Sequence, residues 1–217
     1  MAAFPTLLGG RGSAAVALIG SHVSIEGGLW RALERGQEMG CEALQIFTKN
    51  QLQWFASPLP SRECERFYRA WRESGISTVV SHASYLINLA GEEAVRRKSV
   101  DALVQELQRC DALGIDRVVL HPGFHKQFTR QEGMNRVLRS LEEGFLKSRY
   151  CNLMKFCIHW CNHGLDWKDR EFNRPKDLDF QTPALVEMTE YLADNYFRLP
   201  NYITVDGRPV LVIWDTR

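Results

Sequence analysis

The sequence predicts an α/β fold, a TIM-type (β/α) barrel of about six βα units, and two observations carry that expectation. Short runs rich in Val, Ile and Leu alternate with amphipathic helical stretches at roughly 30–40 residue spacing, the pattern of βα units and a parallel sheet. Four of the predicted strands end at a histidine: His22, His82, His121 and His159. Polar residues at nearly every strand end favour a barrel, whose C-terminal face collects them, over an open doubly wound sheet, which gathers them at one switch point. A closed barrel takes eight units and typically about 250 residues. With 217 residues and six visible units, the chain reads as an incomplete barrel forming a single domain.

The elements follow in order. Strand one is placed at about 15–20. A helix runs from Gly27, with Leu29, Leu33 and Met39 on one side. Strand two is Ala43–Phe47, and Ser61 opens a helix carrying Phe67, Ala70 and Trp71. Strand three is 77–81. Glu92 to Leu113 reads as a long helix whose apolar stripe is Val100, Leu103, Val104, Leu107 and Ala112, ended by Gly114 as a C-cap. Strand four is 117–120, followed by a helix from Arg130 to Lys147. Strand five is Leu153–Trp160. A polar loop precedes a helix opened by Pro183 that carries Leu185, Met188, Tyr191, Leu192 and Tyr196. Asp206-Gly207 marks a tight hairpin-like turn, and strand six is Pro209–Trp214.

Composition sets outer bounds. The net charge of +1 gives no global argument for nucleic acid, so any DNA contact must come from a local patch. No apolar stretch of about 18 residues exists, so no membrane span is expected. The N-terminus lacks a basic leader region, and its apolar runs are broken by Gly9-Gly-Arg-Gly12. The six cysteines sit in predicted helices and strands and read as reduced thiols of a cytoplasmic protein.

The stretches Ile19-Gly-Ser-His-Val-Ser24, Phe47-Thr-Lys-Asn-Gln51 with Gln53-Trp54, His82-Ala-Ser-Tyr-Leu-Ile-Asn-Leu89, Gln108-Arg-Cys110 and His121-Pro-Gly-Phe-His125 come in a specific order and spacing. From Leu18 to about His125 they resemble endonuclease IV, the zinc-dependent apurinic/apyrimidinic endonuclease family of DNA base-excision repair. The resemblance implies a barrel with zinc at its C-terminal face, His82 and His121 as metal ligands, and DNA containing abasic sites as partner. It makes Tyr85 the aromatic residue that intrudes at the lesion, and puts Gln53 and Trp54 in the loop that enters the minor groove. At position 52 the family usually has an arginine; here Leu52 loses the cation but keeps an apolar wedge of the kind minor-groove binders use. His22 is not a ligand by resemblance. The chemistry is sound in its own right, because metal ions supply hydroxide at neutral pH and offset charge on a phosphodiester.

From about Tyr150 the wording changes. Trp160-Cys-Asn-His163 and Tyr202-Ile-Thr-Val-Asp-Gly-Arg-Pro-Val210 are similar to glycoside-hydrolase-family-99-like proteins of polysaccharide loci. The chain is thus expected to be chimeric, with residues 13–149 an endonuclease-IV-like half and 150–217 a family-99-like half. That second resemblance implies a sugar-lining role for Trp160, Asn162 and His163 and an alternative reading as a carbohydrate-active barrel. A third reading is a non-catalytic barrel fragment that needs a partner, since open parallel edges invite pairing and hence a homo-oligomer. His125, His159 and Glu143 are candidates for a third metal ligand. Cys157, His159, Cys161 and His163 alternate along a strand, where neighbours on one face stand about 6.6–7 Å apart, too far for one zinc without a bend. Phe55 is a further aromatic candidate for DNA. Lys49, Lys126 and Arg130 are candidate phosphate contacts, with solvated surface charge as the plain alternative.

Overall fold

Four strands line up side by side in the order in which the chain makes them. A computed structural model describes residues 18–125, 127–152, 154–160, 189–205 and 207–213. Strands β1 (Gly20–His22), β2 (Ala43–Ile46), β3 (Thr78–His82) and β4 (Val118–Val119) form one parallel sheet in the order β1-β2-β3-β4. Gly20 stands opposite Ala43, Ala43 opposite Thr78, and Ser81 opposite Val118. Helices α1 (Leu29–Glu38), α2 (Ser61–Ser74) and α3 (Glu93–Ala112) make the crossovers. A doubly wound sheet would reverse its order within its first four strands. This one does not, and steps in a single direction as a barrel wall does.

The core follows from the spacing of apolar residues. In β2, Leu44 and Ile46 are buried while Ala43 and Gln45 are only partly so, the alternation of a strand with one face inward. Helix α1 buries Leu29, Ala32, Leu33 and Gly36, a stripe at helical spacing. Gly36 allows that helix to lie against the strand, because a Cβ there would stand 2.6 Å from Leu44 Cδ2. Helix α3 buries Ala102, Leu103, Leu107 and Cys110, but also Arg96, Ser99, Glu106 and Arg109. Ala112, placed in the stripe from sequence, is exposed. Gly114 takes the left-handed conformation expected of it, with φ +65°.

The helix from Arg130 keeps its expected length, the start of the helix expected at Pro183 lies outside the described residues, and the last strands are shorter than the sequence suggests. Helix α4 (Arg130–Leu141) opens with a capping box in which Thr129 and Glu132 satisfy each other's backbone donors. A π-helical turn at Glu142–Leu146 then brings Gly144 and Phe145 inward. Strand β5 is only Ile158–Trp160, paired in parallel with β8 (Leu211–Ile213). Upstream of it, the Asn201 side chain donates to the Cys151 carbonyl at 2.9 Å, and Tyr202 Oη accepts from the Ile158 amide. Side chains thus occupy backbone groups that a longer strand would pair. β6 (Thr204–Val205) and β7 (Arg208–Pro209) form an antiparallel pair, with Gly207 before β7 at φ +73°, as a tight turn requires; Asp206 lies outside the described residues. The predicted sixth strand is split in two: Pro209 pairs within the hairpin, opposite Thr204, and Leu211–Ile213 pair with β5. Strand one begins later than expected, at Gly20, and Ala15 to Ala17 lie outside the described residues. A small aromatic core of Leu192, Tyr196 and Tyr202 meets the main core through Phe156, whose ring stands edge-on to Phe145 at 5.5 Å. The five described cysteines are free, and no described helix is long and apolar enough to cross a membrane.

A buried arginine with two part-exposed carboxylates ties α3 to the end of α4 and the turn after it. The Arg96 guanidinium, almost wholly buried, donates to Glu93 at 2.9 Å, to Glu143 at 2.7 Å and to Ser140 at 3.2 Å. Hydrogen bonds from Arg96, joined by Arg97 at Glu93 and Arg139 at Glu143, hold both carboxyls below their usual range. Depressed carboxylate pKa values mean stability that is fully present above about pH 4, the unfolded value, and lost as pH falls through the folded values. The melting temperature is therefore expected to be flat from neutral pH down to about 5 and to drop below about 4. Glu143→Gln should flatten that acid limb in a thermal-melt series; an unchanged limb would contradict the assignment.

Candidate metal and nucleic-acid site at the strand ends

Strands β1 and β3 end at His22 and His82, and His121 follows β4 by two residues. Parallel pairing in register brings these ends together at one face of the sheet. The His82 ring lies 5.1 Å from the His121 ring and 6.0 Å from the His22 ring, centroid to centroid. Phe47, just past β2, packs between His22 at 4.7 Å and His82 at 5.1 Å. Tyr85 completes the group, 5.0 Å from His82 and stacked on His121 at 6.1 Å.

The hydrogen bonds set the chemistry of His82. Its Nδ1 is 2.7 Å from the Ala83 carbonyl oxygen, which can only accept, so Nδ1 carries the proton and Nε2 keeps a free lone pair. Burial lowers the pKa of this ring, with His121 and His22 adding to the effect and the Ala83 bond opposing it. A buried, neutral imidazole with its far nitrogen bare and its near nitrogen anchored on a carbonyl is the form in which histidine binds metals. Two imidazoles sharing one tetrahedral ion at about 2.0–2.1 Å hold their centroids roughly 5 Å apart. The His82–His121 pair fits that requirement. His22 is tied instead to Gln45, Nδ1 to Oε1 at 2.9 Å.

The other candidates for a third ligand are not gathered with this pair. His125 Nδ1 is 2.7 Å from the Phe128 carbonyl, which leaves its Nε2 free as at His82. Glu143 is held by Arg96 and Arg139 on the α3–α4 face. Among the described residues no group of three or more His, Cys, Asp or Glu is gathered to hold a metal ion. Asn162, His163 and Cys161 lie outside the described residues, as do the side chains of His159 and Trp160.

The loop after β2 carries the nucleic-acid candidates, and a buried carboxylate beneath it sets its shape. Glu106 of α3 is fully buried. One of its oxygens accepts from Thr48 at 2.8 Å and Ser81 at 2.6 Å, and the other from the Lys49 ammonium. Arg109, one turn on, donates to the carbonyls of Thr48 at 2.5 Å and Ser57 at 2.7 Å. Lys49 is therefore not a phosphate contact: it is a buried partner of Glu106. Past this anchor the loop rises into solvent, where Gln53 is exposed and Leu52 is 65% exposed. Tyr85, 54% exposed, and Phe55, 44% exposed, share that outlook. Tyr85 is also tied to the loop, its amide donating to the Gln51 carbonyl at 3.3 Å. Trp54 turns the other way: it packs against the main core with the Lys98 ammonium 4.7 Å over its ring. Lys126 and the Arg130 side chain lie outside the described residues.

A depression of about 380 Å³ lined by Tyr68, Trp71, Arg72, Gly75 and Ile76 lies where α2 leads into β3. That is the opposite end of the strands from the histidines, and barrel enzymes work at the C-terminal face.

Parallel strands in chain order, crossover helices and a histidine cluster at the C-terminal ends define a β/α-barrel protein. A model of the xylose isomerase-like TIM barrel family matches residues 33–169, more than half of the chain, and the chain belongs to that family. It is 43% identical over 129 residues to the probable endonuclease 4 of Citrifermentans bemidjiense, covering 59% of this chain and 46% of that protein. It is 51% identical over 108 residues to that of Halorhodospira halophila, covering 49% and 36%. The chain thus spans about half or less of these relatives' length. Among solved structures it resembles endonuclease IV from Thermus thermophilus, with a TM-score of 0.56 and 31% identity over 68% of this chain and 53% of that one. A xylose isomerase domain protein from Planctomyces limnophilus shares the fold alone, with a TM-score of 0.52 at 13% identity, covering 84% of this chain and 60% of that one.

Proposed function

We propose that the protein is a zinc-dependent phosphodiesterase of the endonuclease IV type, acting on DNA at abasic sites. The observation that carries this reading is the His82–His121 pair, 5.1 Å apart at neighbouring strand ends, with His82 fixed in the tautomer that leaves Nε2 free. The curated relatives bear the matching name. A metal bound at this pair would supply hydroxide at neutral pH and offset the charge of the phosphate 5′ to the lesion. His82 and His121 would provide two of the ligands, where catalytic zinc sites usually have three from protein.

The remaining roles fall to the exposed rim. Tyr85 stands beside both ligands and is exposed, so its ring can stack against the sugar or base next to a missing one. Leu52 and Gln53 are exposed on the loop after β2 and would enter the minor groove, Leu52 as an apolar wedge. Trp54 supports that loop from beneath. Leu52→Ala is expected to weaken binding to an abasic duplex about tenfold, roughly 1.4 kcal/mol. The melting temperature should not change, since an exposed side chain has little packing to lose. Filter binding against abasic and intact duplexes checks this; equal affinity of wild type and variant for the abasic duplex would count against the wedge.

The reading as a whole is tested by elemental analysis paired with incubation on a duplex carrying one abasic site. Bound zinc and nicking at the lesion are expected. A metal-free protein that gains no nicking on zinc addition would rule the reading out.

A further inference from the structure

The two histidine-bearing loops are clamped together by one side chain. Asn88, in the loop after β3, reaches across to the segment after β4. Its Oδ1 accepts from the Phe124 amide at 3.0 Å, and its Nδ2 donates to the Phe124 carbonyl at 3.0 Å. One residue on, the Leu89 amide donates to the Pro122 carbonyl at 2.8 Å. The primary amide thus does what a residue of a neighbouring strand would do, offering one donor and one acceptor to the N–H and C=O of a single residue. Asn88 is itself held, its amide donating to Ser99 Oγ of α3 at 2.9 Å and its Oδ1 also accepting from the Ala90 amide at 3.1 Å.

The facing residue is shaped to receive it. Gly123 has φ +98°, which side chains rarely adopt, and a Cβ there would stand 2.3 Å from Asn88 Oδ1 and 2.6 Å from Asn88 Cα. Only glycine lets the loop lie flat on the asparagine. His125 is seated in the same way against Gly133 of α4, where a Cβ would come within 2.4 Å of its own. By contrast, the His121 ring makes no hydrogen bond among the described residues. It rests on the His82 and Tyr85 rings, and the loop that carries it sets where its backbone stands.

We infer that Asn88 is a positioning residue: by clamping Phe124 it sets where the His121 ring stands relative to His82. The consequence for catalysis rests on the phosphodiesterase reading above, but the clamp itself is measurable without metal or DNA. In the metal-free protein, the His82 and His121 rings should show a nuclear Overhauser contact. Asn88→Ala is expected to abolish that contact and to raise hydrogen exchange of the Phe124 amide about tenfold, the effect of roughly 1.4 kcal/mol, leaving the core amides of Leu103 and Leu107 slow. Nicking of an abasic duplex should then lose about tenfold in kcat with KM within twofold, the scale of lost support around a metal ligand. Gly123→Ala, which attacks the clamp from the other side, should give the same signature. A folded Asn88→Ala protein that keeps the ring contact and the slow Phe124 amide would overturn the inference. So would a failure of both variants to fold, since the role would then be structural. Wild-type protein that shows the ring contact but never nicks DNA would defeat the phosphodiesterase reading alone.

Discussion

Glu106→Gln is expected to lower the melting temperature by roughly 6–20 °C, the largest stability effect of any single substitution argued for this protein. The carboxylate is fully buried and is the ion-pair partner of Lys49, which is itself buried. Replacing it by a neutral amide leaves the ammonium charged in a place water does not reach, which costs about 3–5 kcal/mol. For a chain of this length each kcal/mol moves the midpoint by about 2–4 °C. The loss should be local in origin. Glu106 also accepts from Thr48 and Ser81, so the start of the β2–α2 loop and the end of β3 lose their common anchor together. Removing both charges is the control. Glu106→Leu combined with Lys49→Met should be markedly more stable than Glu106→Gln alone, because replacing a buried pair by apolar side chains is often close to neutral. Thermal melts of the two variants decide it; a double variant no better than the single would show that the hydroxyl bonds, not the stranded charge, dominate.

The second large effect falls on activity. His121→Ala should reduce nicking of an abasic duplex by a factor of about 100 or more while leaving the melting temperature within about 2 °C. Loss of outer partners of a metal ligand already costs about 10–100-fold, and loss of the ligand itself should cost at least that. The stability side follows from exposure: His121 is solvent-facing. His82→Ala offers the contrast. That ring is buried, donates to Ala83 and touches Phe47, Tyr85 and His121, so its removal should cost activity and stability together. Parallel assays and melts on the two variants separate ligand loss from packing loss. Wild-type nicking by His121→Ala would remove that residue from the site.

Much of this arrangement was legible in the sequence because it rests on short-range pattern. Alternating apolar runs marked β2 and β3 within a residue or two, and histidines placed at strand ends were bound to meet once the strands paired in parallel register. The long helix ended at Gly114 as its chemistry required. What stayed hidden depends on distance along the chain. Lys49 reads from sequence as a phosphate contact or a solvated charge because its partner lies 57 residues away, and no spacing rule links the two. Glu106 and Arg109 sit on a helix whose apolar stripe is plain, and charged residues there are normally read as the solvent face; here that part of α3 faces the loop instead. Asn88 was visible as part of a recurrent wording, but its work is done against a backbone 36 residues on. Trp54 was placed with the groove-entering residues by resemblance, whereas its ring is spent on the core and on Lys98. Strands five and six were overdrawn because apolar runs do not reveal that the chain changes partner along them, Phe156 pairing with Tyr202 and Ile158–Trp160 with Leu211–Ile213.

His82 and His121 are proposed to hold a metal that would support cleavage of DNA beside a missing base. The decisive experiment incubates the zinc-loaded protein with a duplex carrying one abasic site, with and without EDTA. A single nick on the 5′ side of the lesion that disappears with EDTA and returns with added zinc is the result expected of that proposal. A duplex left intact by excess zinc-loaded protein, or a nick indifferent to EDTA, would contradict it.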